Sequence, residues 1–312
     1  MGPGRSGAIN PILRLLLATV PDPVSSWFTS LQYMLPQHAL SRLVGRLARA
    51  HTGRTLLMRA FISRYRVDMS EAANPRLENF ENFNAFFTRA LRPGCRPLAA
   101  GKNAVLCPAD GAISQLGNID GECIFQAKGH SYTVTNLLGG DSALAEAFRD
   151  GSFATVYLSP RDYHRVHMPI TGKLDSMIYV PGKLFSVNRE TAAHVPDLFA
   201  RNERVVCLFQ TTACLMAVVL VGAMIVAAIE TVWGGQVCPG FAQQPFFKQS
   251  FRDQSPRLEF QAGQEMGRFK LGSTAIVLFA KGAVELEPSL QADTPVRMGQ
   301  LLARQINQRI SQ

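Results

Sequence analysis

Ala213-Cys214-Leu215-Met216-Ala217-Val218-Val219-Leu220-Val221-Gly222-Ala223-Met224-Ile225-Val226-Ala227-Ala228-Ile229 is a run of 17 residues without a charge, and how it folds decides the architecture. As one helix it would sit at the lower edge of the length that crosses a bilayer, where about 20 residues are usual. Its composition points elsewhere. Val218, Val219, Val221, Ile225, Val226 and Ile229 are β-branched, and branching at Cβ favours the pleated strand. Gly222 interrupts the run. The expectation is therefore two buried strands joined near that glycine, apolar on both faces.

The surroundings agree. Beyond residue 100 short β-branched runs alternate with turn signals such as Pro108-Ala109-Asp110-Gly111, Asn118-Ile119-Asp120-Gly121 and Pro181-Gly182, the pattern of a mainly antiparallel sheet. A helix is expected at 142–149, where Leu144, Ala145 and Phe148 share a face. Before residue 70 the periodicity is helical. Leu40, Leu43, Val44 and Leu47 recur with Arg42, Arg46 and Arg49 between them, and Leu57, Phe61 and Tyr65 line one face of a second helix over 54–67. Asn82 to Arg89 reads as a short helix closed by the turn at Pro93-Gly94. The fold class is α+β: N-terminal amphipathic helices (1–70), then a mainly antiparallel β domain (71–312).

Composition narrows the function classes. With 312 residues, 47% apolar and 18% charged, the chain is globular and can bury a large core. Its net charge of +9 lies almost wholly in the first 100 residues, which hold 13 Arg and no Lys against five acids. Such a region suits nucleic acid or an anionic membrane surface. Arginines beside apolar helix faces, and the Trp27-Phe28 pair, suit the headgroup boundary; packing on the protein's own core is the other use of such a helix. The six cysteines form no C-x-x-C pair, so neither a zinc site nor a disulfide framework is expected. Arg14 splits the first apolar stretch, which argues against a secretion signal.

Three places can carry chemistry. Ser159-Pro160-Arg161-Asp162-Tyr163-His164-Arg165-Val166-His167-Met168-Pro169 holds two of the six histidines three residues apart; a short turn running into extended chain is expected there. No neighbouring Cys, Asp or Glu completes a metal set. Asp110 precedes Gly111, and an Asp-Gly pair alone is ordinary turn chemistry. The third is Leu271-Gly272-Ser273-Thr274, ahead of the apolar run 275–279. A glycine carbonyl next to a serine hydroxyl can be attacked with little obstruction, because Gly272 has no Cβ; a turn entering a strand is the plainer reading. Asp110, a histidine and Ser273 together complete an Asp, His, Ser set, which geometry and not sequence position defines.

These motifs, in this order, make the chain resemble the bacterial phosphatidylserine decarboxylases. The similarity runs from about Leu31 to beyond Ser273. It includes Phe86-Phe87-Thr88-Arg89, Pro108-Ala109-Asp110-Gly111, Ala127-Lys128-Gly129-His130, the His164/His167 segment, Tyr179-Val180-Pro181-Gly182, Leu184-Phe185-Ser186-Val187-Asn188, Phe199-Ala200-Arg201-Asn202-Glu203-Arg204 and Leu271-Gly272-Ser273-Thr274. The first ~30 residues and the loop from Pro239 to Arg257 carry no such motif.

The resemblance implies a proenzyme. Ser273 would attack the Gly272 carbonyl, with His167 as general base and Asp110 orienting it. The chain would part into a large (1–272) and a small (273–312) subunit, leaving a pyruvoyl group at residue 273. That group would form a Schiff base with the amine of phosphatidylserine and release CO2 and phosphatidylethanolamine, with neither PLP nor a metal. His164 would handle a proton in the decarboxylation. The resemblance also implies a peripheral protein at the cytoplasmic face of the cell membrane, bound to anionic lipid and not to nucleic acid, with a homodimer as one oligomeric form. The competing expectations are a serine hydrolase using Asp110, His167 and Ser273, and a membrane-bound scaffold without chemistry.

Overall fold

The computed structural model describes residues 37, 45, 48, 49, 52–224, 228–237, 245–270 and 273–306. The helix expected over 31–50 falls largely outside the described residues, as do Trp27, Phe28 and Gly272.

The apolar run around Val218 forms strands. Leu215–Val221 is one and Ile229–Thr231 the next, with Gly222 just past the end of the first. Leu215–Val221 lies inside a nine-stranded antiparallel sheet. Its spatial order is Phe247–Ser250, Gly172–Val180, Arg204–Thr211, Leu215–Val221, Ser273–Phe279, Ser152–Leu158, Gly111–Asn118 and Pro295–Val296, with Glu259–Phe260 also pairing on Gly172–Val180. The central strands are apolar residue after residue because both faces are covered. Val218 and Val277 belong to one core, Val219 and Ile276 to the other. Each such side chain, fully buried, contributes about 1.5–3 kcal/mol.

Among the described residues there are three smaller sheets. Ala104–Leu106, Leu301–Gln305 and Val284–Leu286 make one, and Cys123–Ala127 pairs with His130–Thr133 in another. The third joins Gly235–Gln236, Ile229–Thr231, Glu265–Phe269 and Arg165–His167. The expected helix near residue 142 is Ser142–Glu146, capped by Asp141, whose carboxylate accepts from the Leu144 N–H.

In the helical region, the expected 54–67 helix is Arg54–Tyr65, ended by Arg66 in the left-handed conformation. Its buried side chains are Met58 and Phe61, and Leu57 and Tyr65 pack partly buried on the same cluster, the face expected from the sequence. Phe61 is the centre of an aromatic cluster with Phe83, Phe86 and Phe87 at centroid distances of 5.1, 6.1 and 5.9 Å. The last three sit on the short helix Phe83–Phe87, whose N-cap Asn82 accepts from the Ala85 N–H. Edge-on and tilted ring contacts of this kind add to the area buried. The cluster matters for the site because Phe87 also packs on the His164 ring, 4.0 Å between centroids.

Candidate active site

Three neighbouring strands bring the separated motifs to one end of the central sheet. Ser273 begins Ser273–Phe279 and stands opposite Leu158, the last residue of Ser152–Leu158. On the other side of that strand runs Gly111–Asn118, entered from Asp110. Asp110-Gly111 is thus a strand entry, not a hairpin turn. Gly111 is tied to this approach: a Cβ there would lie 2.1 Å from the Tyr157 carbonyl oxygen, far inside contact distance. Strands are spaced about 4.8 Å apart, so the Asp110 and Ser273 backbones stand roughly two spacings, about 10 Å, from each other.

The strand between them runs straight into the histidine segment. After a turn at residues 160–162 the chain extends through Arg165–His167, the turn and extended chain expected from the sequence. Two backbone hydrogen bonds fix its course. The His167 N–H donates to Pro108 at 2.8 Å, on the Asp110 side, and the Phe269 N–H donates to His164 at 3.0 Å, on the Ser273 side. An ion-pair chain reinforces the second link: Arg165 and Arg268 both grip Glu265, at 2.7 and 2.8 Å.

The side chains differ in how they are engaged. His167 is held at both ring nitrogens, Nδ1 against the Gly263 carbonyl at 2.8 Å and Nε2 against the Tyr163 hydroxyl at 3.0 Å. A carbonyl only accepts, so Nδ1 carries the proton and Nε2 receives the tyrosine hydrogen. Burial lowers the His167 pKa. His164 is fully buried; its Nδ1 donates to the Asp162 carbonyl at 2.8 Å while its Nε2 has no partner. Burial drives its pKa down to about 3, leaving a neutral imidazole with a free lone pair. Ser273 is also fully buried, and its Oγ has no hydrogen-bond partner.

Asp110 is held by other groups. Arg96 clamps it through Nε at 2.9 and 3.0 Å and through Nη2 at 2.5 Å, and the Met298 N–H adds a fourth hydrogen bond at 2.9 Å. Arg96 also reaches Glu71 at 2.7 Å, which in turn holds Arg297 at 3.1 Å. No side-chain hydrogen bond joins Asp110 to His167, or either to Ser273, among the described residues. The sheet gathers the Asp, the His pair and the Ser without linking them in a chain. Arg96 and Gly263 carry no signal in the sequence, because their partners are 14 and 96 residues away. Tyr163 did carry one, as a hydroxyl beside two histidines.

Fold and site together define a class: a mainly antiparallel β protein with Asp, His and Ser gathered at one end of a sheet buried on both faces. The family model described as phosphatidylserine decarboxylase matches residues 83–304, and one described as PSD matches residues 27–66. The phosphatidylserine decarboxylase proenzyme of Pseudomonas aeruginosa is 60% identical over 278 residues, spanning 88% of this chain and 96% of that protein. The proenzyme of the same description from Pseudomonas entomophila is 57% identical over 281 residues, 89% of this chain and 98% of its own. The chain belongs to the phosphatidylserine decarboxylase family.

Proposed function

We propose that this protein is a self-processing decarboxylase that converts phosphatidylserine to phosphatidylethanolamine and CO2. The observation that carries the reading is the Ser273 hydroxyl, fully buried and unpartnered at the head of a central strand. A buried hydroxyl without a partner costs stability. An Oγ that is a nucleophile has reason to be left free.

The chemistry follows from the chain's own atoms. Ser273 Oγ adds to the Gly272 carbonyl carbon, the C–N bond breaks, and the nitrogen of residue 273 takes up a proton, giving an ester. Removal of the Cα proton of residue 273 expels Gly272 as a carboxylate and leaves dehydroalanine. Its imine tautomer takes water, releases ammonia and becomes a ketone. The base role falls to His167, whose Nδ1–H is fixed by Gly263 and whose Nε2 accepts the Tyr163 hydroxyl hydrogen, so that a proton reaches the ring through that hydroxyl or after it turns away; Asp110 raises its basicity through space. One observation favours a second assignment. His164 has the free Nε2, and its backbone is bonded to the strand that leads into Ser273.

Two unpartnered polar atoms, Ser273 Oγ and His164 Nε2, at one dry end of the sheet fit a prosthetic group formed in place. A pyruvoyl ketone would supply an electron sink for the charge left when CO2 departs. Around it, a neutral His164 is suited to give or take a proton, and Phe87 against its ring excludes water.

Residues 1–70 are assigned to docking on an anionic membrane and 71–312 to catalysis, with the aromatic cluster around Phe61 joining the two. The basic first third supports the docking role. No helix among the described residues is long and apolar enough to cross a membrane. Removing residues 1–50 should weaken binding to anionic vesicles; unchanged binding would move the attachment elsewhere.

Intact-mass measurement of the purified protein tests the central reading. It should give two chains, one ending at 272 and one beginning at 273 that is lighter by one ammonia. A single chain of full mass, with no decarboxylation of phosphatidylserine, would overturn it.

A further inference from the structure

A cavity of about 400 Å³ opens beside the site, with Asp110 and Tyr163 in its wall. Arginines and carboxylates line it in nearly equal number, but they are not equally engaged. Every lining carboxylate is satisfied. Asp110 is held by Arg96 and the Met298 N–H, and Glu71 by Arg96 and Arg297. Asp162 accepts from the Ser159 N–H and hydroxyl at 2.7 and 2.6 Å, and Asp68 from the Ser70 N–H at 2.8 Å.

Among the lining cations Arg89 is the buried one left without an ion pair. It is only 5% exposed, forms no ion pair among the described residues, and its Nε has no hydrogen-bond partner. Among the described residues its one side-chain hydrogen bond is from Nη2 to the Arg161 carbonyl at 3.3 Å, and its guanidinium lies 5.7 Å from the Phe86 ring centroid. Burial lowers its pKa, and the neighbouring carboxylates Asp110, Asp162, Asp68 and Glu71 act on it only through space, without a direct pair; a buried charge that is not directly paired is expensive, and guanidinium is the cation best matched to a phosphate. Arg66, which also lines the cavity, closes the Arg54–Tyr65 helix.

We infer that this cavity is an anion subsite that receives the phosphodiester of the lipid headgroup, with Arg89 as its buried cation. The inference rests on the decarboxylase reading above. The substrate's own carboxylate is the poorer occupant, because pairing it with a guanidinium stabilises the reactant and is lost as the charge leaves with CO2. The phosphodiester keeps its charge throughout the reaction. Arg89 therefore binds reactant and transition state alike, which places its effect on KM.

The test compares the processed full-length protein with Arg89→Lys and Arg89→Met, after intact mass has shown that each variant is cut. In Arg89→Met, KM for phosphatidylserine in mixed micelles should rise about tenfold to a hundredfold, with the smaller change in kcat. Arg89→Lys should lie between it and the wild type. An unchanged KM in a cut, active Arg89→Met protein would overturn the subsite and leave the decarboxylase reading standing; absence of cutting and activity in the wild type would overturn that reading instead. Should Arg89→Met fail to fold, competition decides. Glycerophosphoserine should inhibit the wild type at least about tenfold more strongly than Arg89→Lys, and more strongly than inorganic phosphate does. Equal inhibition of both proteins, or equal potency of the two anions, would overturn a headgroup site.

Discussion

Ser273 and Leu158 face each other across one rung of the central sheet. The residue that opens one strand thus sits beside the residue from which the histidine segment departs. Replacing Ser273 with Ala keeps that rung and removes the hydroxyl. Ser273→Ala should remain a single chain on denaturing electrophoresis and have no decarboxylase activity. An uncut protein that still decarboxylates would sink the mechanism.

The two histidines are tied to different neighbours, His167 to Pro108 and His164 to Phe269. His167→Ala should block cutting if Nε2 of that ring is the base. Cutting at the wild-type rate would pass the role to His164, whose free Nε2 makes it the next candidate. The time course of fragment appearance, read by intact mass in both alanine variants, separates the assignments.

Both rings are buried in the neutral form, and this carries a pH consequence. The His164 pKa is lowered from 6.5 to about 3, and the His167 pKa is lowered as well. Protonation therefore favours the unfolded chain. Stability should be full above pH 6.5 and fall as the pH drops from 6.5 toward 3, by up to about 1.4 kcal/mol per pH unit for His164, with His167 adding to the loss as the pH falls below 6.5. Urea denaturation at several pH values measures the slope. His164→Gln should flatten it, and an unchanged slope would show that these rings do not set acid stability.

Arg96 stands between two carboxylates, with its side chain 6% exposed. Removing it in Arg96→Met leaves Asp110 buried and uncompensated, at a cost of about 3–5 kcal/mol. Adding Asp110→Asn should recover part of that loss, because the stranded charge is gone. Purely additive effects in this double-mutant cycle would show that the two side chains are not coupled.

Gly111 presses its backbone on the Tyr157 carbonyl. Gly111→Ala must move one strand away from the other, costing about 1–3 kcal/mol. It should also slow cutting, since Asp110 moves with its neighbour. Wild-type stability and cutting in Gly111→Ala would mean that the close approach has no bearing on the site.

Much of this was legible in the sequence, and the particular residues show why. A 17-residue uncharged run rich in valine announced strands buried on both faces, because its signal is local composition. The turn into extended chain at His164 was readable from Ser159-Pro160 and Pro169 for the same reason. The face of the Arg54–Tyr65 helix was legible too, since Leu57, Phe61 and Tyr65 pack in one cluster, but its partners Phe83, Phe86 and Phe87 were not, because they are distant in sequence. The engagement of His167 by Gly263, and of Asp110 by Arg96, is set by strand pairing. Nothing in the neighbouring residues announces it.

The stretch after residue 272 is woven into the rest of the molecule. Ser273–Phe279 has a hydrogen-bonded strand on each side, Leu301–Gln305 pairs with Ala104–Leu106, and Pro295–Val296 pairs with Gly111–Asn118. A chain cut at this point becomes a heterodimer whose halves never met as separate solutes. Its interface is the interior of a folded sheet, so dilution cannot part the two pieces, and releasing the short one means melting the long one. The scission would be permanent in covalent terms and nearly invisible in shape.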